Sequence, residues 1–256
     1  MLEVTGVSKS FRGITAVRDV TFRAGPGQVI GLLGPNGSGK STTVKILVGL
    51  LRPTSGTVRW SDLDVHDAAQ QRVYQRVFGY VPEEPRLYNY LTAVEYLELV
   101  GGLRGLAADV LRGRIHRYLE LFGLGGQQHV PISSFSKGMR QKVLLSAALL
   151  HDPRIVVLDE PCSGLDVGST LILRRLVTAL ARRGTTVIYS SHVMDMVEKV
   201  CDDVLILHKG RVVAHDSVGR LRELAQAASL EEVFAALAVD QDVNRIGDEL
   251  AAVALS

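Results

Sequence analysis

The stretch "GPNGSGKST", Gly34 to Thr42, constrains this chain more than any other. It satisfies the pattern G-x-x-x-x-G-K-[ST] through Gly34, Gly39, Lys40 and Ser41, between the apolar run "QVIGLL" and the helix-like "TTVKILVGL". A loop of this kind surrounds phosphate oxygens with bare backbone N–H groups, which requires glycine where the backbone approaches closely. The intervening Pro35, Asn36, Gly37 and Ser38, and Thr42 after them, share the loop and count as candidate phosphate contacts. Lys40 supplies a mobile positive charge for the β- and γ-phosphates, the Ser41 hydroxyl is placed to ligate Mg²⁺, and the helix N-terminus adds its dipole. Strand, loop and helix in that order demand an α/β architecture.

The remaining apolar runs agree. "RIVVLDE" at 154 to 160, "TTVIYSS" at 185 to 191 and "DVLILHKG" at 203 to 210 are rich in Val and Ile and apolar on both faces. Such runs read as strands buried between helix layers. Residues 1 to 24 and the pair "GTVRW" and "RVVAH" read as antiparallel edge pieces. From about Thr92 to Leu150 no strand-like run occurs. Thr92 with Glu95 forms a capping box, and Val94, Leu97, Ile115, Leu119 and Phe122 recur at helical spacing. The expected organisation is an α/β core with an antiparallel β subdomain over 1–84 and 151–218, and an inserted helical subdomain over 85–150. A small helical tail over 219–256 completes it, with Ser229 and Glu232 as a second capping box.

Composition excludes other classes. Lys+Arg 29 against Asp+Glu 27 leaves a net charge of +2, without the basic footprint of nucleic-acid binding, so no nucleic-acid partner is expected. Cys162 and Cys201 offer no disulfide framework and no metal spacing, which suits a reducing compartment. The N-terminus lacks the charged-then-apolar pattern of a secretory signal. The longest apolar stretches fall far short of the roughly 20 residues a bilayer crossing needs.

In "IVVLDEP" the strand Ile155 to Leu158 delivers Asp159 and Glu160 to its carboxyl end, where open α/β sheets collect their ligands. Asp159 is the expected holder of Mg²⁺ opposite Ser41. Glu160, one residue farther, can polarise a water attacking the γ-phosphate. Taken alone, such an ending is also how an ordinary strand stops at the surface. "SSHVMDMVEKV" follows the next buried strand, and its His192 would emerge at the same sheet edge, within reach of the γ-phosphate.

With these pieces in order, the chain resembles the ATP-binding subunits of ABC transporters over nearly its full length. "FSKGM", Phe135 to Met139, stands where that family carries its Leu-Ser-Gly-Gly-Gln signature, with Ser136 and Gly138 retained. "SGLD", Ser163 to Asp166, resembles the D-loop, His192 the switch histidine, and Phe11 the aromatic that stacks on adenine. The resemblance implies a P-loop ATPase with a RecA-like mixed sheet, an antiparallel β edge and an inserted helical subdomain. ATP and Mg²⁺ would be its cofactors. Two copies, as a homodimer or heterodimer, would sandwich ATP, with Ser136, Gly138 and Asp166 serving the partner's nucleotide. The partner implied is a transmembrane permease that holds the chain at the cytoplasmic face of the cell membrane. "YVPEEPRLYNYLT", "FSKGMRQK" and "SLEEVFAAL" together look most like the ABC-2 type exporters.

Three positions depart from the pattern. Glu83 stands where glutamine is usual in the loop entering the helical subdomain, and it remains a candidate Mg²⁺ ligand because magnesium accepts carboxylates. Lys137 replaces a glycine of the signature and Met139 its glutamine. A soluble ABC ATPase of translation or chromosome maintenance is the rival reading; those proteins usually carry tandem ATPase units or long coiled-coil insertions, and neither occurs here. No Asn-Lys-x-Asp guanine-reading motif is present.

Overall fold

The computed structural model describes residues 1–238. Its strands are β1 (Leu2–Phe11), β2 (Ile14–Ala24), β3 (Val29–Leu33), β4 (Ser55–Trp60), β5 (Leu63–Asp64), β6 (Phe78–Val81), β7 (Ile155–Asp159), β8 (Thr186–Ser190), β9 (Asp203–His208) and β10 (Arg211–Ser217). Its helices are α1 (Lys40–Leu47), α2 (Gln71–Val77), α3 (Ala93–Leu103), α4 (Ala108–Leu121), α5 (Lys137–Leu149), α6 (Val167–Arg182), α7 (Met194–Val200), α8 (Val218–Ala225) and α9 (Leu230–Ala238).

Two sheets organise the chain. One has the order β2-β1-β4-β5 and is antiparallel throughout; the other runs β10-β9-β3-β8-β7-β6, parallel except for β10. The strand pieces expected at antiparallel edges thus divide between two sheets: "GTVRW" joins β1 and β2, whereas "RVVAH" borders the parallel sheet as β10.

Alternation along the buried strands builds two cores at once. Val29 and Leu33 of β3, Val156 and Leu158 of β7, and Val187 and Tyr189 of β8 point to the layer that includes α5, α6 and α7. Ile30 and Leu32, Ile155 and Val157, and Ile188 point the other way, toward α1 and the antiparallel sheet. That is why these runs are apolar at every position. Ile188 is fully buried, and Ile188→Ala would cost about 2–5 kcal/mol through lost transfer energy and the cavity left behind.

β6 escaped the sequence pattern because Gly79 interrupts a short run. The glycine is required, since a Cβ there would collide with the Ala148 carbonyl oxygen near the end of α5. α3, α4 and α5 follow, and Thr92 and Glu95 cap α3 in both directions. The box expected at Ser229 forms by half: Glu232 N–H donates to Ser229 Oγ, but the Glu232 carboxylate accepts from Ala228 N–H, one residue too early. The tail expected over 219–256 includes α8 and α9; residues 239–256 lie outside the described residues. Among the described residues no helix is long and apolar enough to cross a membrane.

Candidate active site

β3, β7 and β8 are parallel neighbours in register, so Gly34, Glu160 and Ser191 all leave the sheet at one edge. The phosphate loop bridges β3 to α1 there. Gly34 has no room for a side chain, because a Cβ would collide with Ser38 Oγ and stand 2.5 Å from the Leu207 carbonyl oxygen. Gly39 combines φ of 103° with a close approach to β2, where a Cβ would stand 2.6 Å from Ala16 O. A hydrogen bond from Gly210 N–H to Ser38 O pins the loop to the β9–β10 turn. Gly37, with φ of 78°, faces open space.

Lys40 folds back over the loop, its ammonium donating to the carbonyl oxygens of Gly34 and Pro35. Burial pushes it below the usual lysine range, and the carboxylates of Glu160, Asp159 and Glu83 pull it back up. Those groups share a cavity of about 400 Å³, walled by Gly34, Pro35, Asn36, Lys40 and Ser41 on one side and by Glu83, Asp159, Glu160 and His192 on the other. A second cavity of about 480 Å³ adjoins it. Ser41, Glu83 and Asp159, the candidate metal ligands, line both.

Asp159 ends β7 and is buried. Burial raises its pKa above the usual carboxylate range, and the neighbouring charges of Glu83 and Glu160 push the same way. Glu160 follows in a left-handed backbone conformation with φ of 47°, its carboxylate almost buried. His192 Nδ1 lies 2.8 Å from Glu160 Oε1, and Ser191 Oγ donates to Glu160 Oε2 over 3.2 Å. The Ser191 hydroxyl also accepts from Val193 N–H, so one oxygen ties the carboxylate to the turn that carries His192.

The residues fit a magnesium nucleotide. No side chain caps α1, so its first amides are left for an anion. The donor set of one hydroxyl and two carboxylates is the hard-oxygen set that Mg²⁺ takes together with phosphate oxygens.

Phe11, Ser136, Gly138 and Asp166 stand apart from this cavity. Phe11 ends β1 in a hairpin with β2; it is 46% exposed, with the Lys9 ammonium 5.2 Å from the ring centroid. Phe11 therefore lies outside the buried core. Ser136 caps α5 by accepting from Met139 N–H. Gly138 allows α5 to approach Gly164, whose carbonyl oxygen would stand 2.5 Å from a Cβ. Asp166 caps α6, accepting from the Ser169 amide and hydroxyl at 2.8 Å each.

Sequence reasoning missed three residues here. The sequence offers Ser191 only as the end of its strand run and as a cap for the helix after it, although a hydroxyl beside the histidine was the available signal. Met194 and Phe234 complete the cavity wall, and Phe234 comes from α9, too distant in the chain for any spacing rule to reach.

The family profile described as "ABC transporter" matches residues 17–163, more than half of the chain. The chain belongs to the ABC transporter family, as an ATP-binding protein. This cassette is 36% identical to the ABC transporter ATP-binding protein NatA of Bacillus subtilis over 240 residues, 91% of this chain and 96% of that protein. A solved ATP-binding subunit of an ABC transporter is 34% identical, with a TM-score of 0.87, and covers 93% of this chain and 99% of its own. The fold is also that of the dimeric cassette MJ0796 solved in a post-hydrolysis state with ADP and phosphate, at 24% identity and a TM-score of 0.78 over 85% of this chain and 98% of that one. The cassette is thus an ABC ATPase by fold and family, with ATP hydrolysis as its enzyme class.

Proposed function

We propose that this ABC ATPase powers a separate transmembrane permease, for export, from the cytoplasmic face of the cell membrane. The observation that supports the reading is the convergence of Lys40, Ser41, Asp159 and Glu160 on one cavity, with His192 bonded to Glu160. Residues Gly34 to Thr42 wrap the phosphates and Phe11 stacks on adenine. Ser41 and Asp159, with Glu83, would hold Mg²⁺, which when bound neutralises phosphate charge. Glu160 takes the proton of the water that attacks the γ-phosphorus. His192 engages Glu160 through Nδ1, leaving Nε2 to face the γ-phosphate.

Ser136, Gly138 and Asp166 then serve the nucleotide of a second subunit in a homodimer or heterodimer. The dimer closes on ATP and opens after hydrolysis, and differential affinity for the closed form drives the permease. The subdomain division at 84/85 and 150/151 and the tail from 219 belong to the same reading. The loop from Glu83 to Tyr90 faces the permease, and its Tyr88 and Tyr90 are exposed.

Glu160→Gln should cut single-turnover ATP hydrolysis by roughly 10²–10⁴-fold while ATP binding persists. Hydrolysis at the normal rate would refute the base assignment. Purification from membranes should bring a polytopic membrane protein along; association with ribosomes or DNA instead would overturn the transport reading.

A further inference from the structure

Lys137 opens α5, where a cation is disfavoured by the helix dipole. Its ammonium is nevertheless engaged, donating to Ser163 Oγ over 2.6 Å. Its methylene stem lies along Gly164, where an added Cβ would stand 2.9 to 3.1 Å from Lys137 Cγ, Cδ and Cβ. Neither Gly164, with φ of 78°, nor Gly138 across from it tolerates a side chain without prying the two segments apart. One turn along, fully buried Gln141 donates through Nε2 to Pro161 O, and Lys142 Nζ stands 4.0 Å from Asp166 Oδ2. The first turns of α5 therefore hold the segment 160–166 at Pro161, Ser163, Gly164 and Asp166.

That segment starts with Glu160 in its left-handed conformation, which strains a non-glycine residue and persists only where surroundings impose it. Ser163 N–H closes the turn onto the Glu160 carbonyl over 3.1 Å. The residue that Lys137 grips thus holds the Glu160 carbonyl, while the Glu160 amide donates to Ser190 O over 2.9 Å.

We propose that Lys137 is a positioning residue: by latching Ser163 it holds the 160–166 turn and, through it, the Glu160 carboxylate. This rests on reading Glu160 as the base. It also assigns Ser163, a residue of the D-loop-like segment, a role inside its own subunit.

Hydrogen exchange of the Ser163 amide, and of the Leu165 amide that donates to Cys162 O within the same segment, tests the latch in the full-length chain without nucleotide, independently of any catalytic assignment. Lys137→Met keeps the stem and removes the donor; Ser163→Ala removes the acceptor. Each should speed exchange about two- to tenfold, the range a single modest hydrogen bond supports, and the double variant should add little to either. Lys137→Arg should restore slow exchange. In ATP hydrolysis Lys137→Met should lower kcat and leave KM unchanged. Unchanged exchange in Lys137→Met, or a raised KM that Ser163→Ala does not share, would overturn the latch. Normal hydrolysis by Glu160→Gln would instead sink the base assignment and leave the exchange result standing.

Discussion

Two helices of this molecule start at glycine-bearing turns suited to anions, and they are finished in opposite ways. α1 follows a loop whose Gly39 occupies the N-cap without a side-chain bond, and the carboxylates of Asp159, Glu160 and Glu83 gather opposite it in the same chain. α5 is capped by its own Ser136, and its Lys137 is turned onto Ser163. The first terminus has its free amides and its chemistry in one subunit. The second has its Met139 amide capped by Ser136, and Asp159, Glu160 and Glu83 face α1 rather than α5. The contrast teaches that a helix N-terminus completes a nucleotide site within its own subunit only where the surrounding fold leaves its cap open and brings the reacting groups to it.

The hardest way to break the comparison is at α1. Lys40→Ala should weaken ATP binding about 10- to 100-fold, measured by equilibrium titration, because a charge-assisted contact to phosphate is lost. A smaller effect is expected at α5: Ser136→Arg should leave the binding of ATP to one subunit intact but bring the Hill coefficient of hydrolysis down toward about 1. Undiminished cooperativity would show that α5 serves no second nucleotide.

Acidification separates the two regions by sign. Burial holds the pKa of Asp159 above the ordinary carboxylate value, whereas the Ser169 amide holds that of Asp166 below it. As the pH falls, Asp159 takes its proton before an ordinary carboxylate and Asp166 after one. Mg²⁺ affinity, followed with Mn²⁺ as a spectroscopic substitute, should therefore decline at a pH where the α6 cap is still charged. The Asp166 contribution to stability is present above its unfolded pKa, about 3.9, and fades only as the pH drops through its lowered folded value. The smallest effect is Asp166→Ala, which should lower the urea midpoint slightly through the lost cap, without changing the slope of the transition.

Much of this was legible in the chain. The phosphate loop and the runs ending at Leu33, Leu158 and Ser190 announced their strands because each is apolar at consecutive positions, as burial on both faces demands. β6 was not legible, since Gly79 serves a contact with Ala148 that only packing creates. Asp159, Glu160 and His192 could be placed at one edge from order alone. Their hydrogen bonds could not, nor could Phe234, which reaches the cavity from α9. The Ser229 box forms only by half because its pattern matches a spacing, and the Glu232 carboxylate accepts from the Ala228 amide, one residue earlier than the box requires.

What the sequence determined by itself was the α/β class, the phosphate loop and the identity of the acidic pair, because local spacing and apolar periodicity are properties of neighbouring residues. Tertiary structure alone decided that Lys137 meets Ser163, that Ser41, Glu83 and Asp159 stand between two cavities, and that Ser191 and His192 share the Glu160 carboxylate. Those are contacts between distant segments, and their geometry follows from how the sheet and the helices pack on a common core.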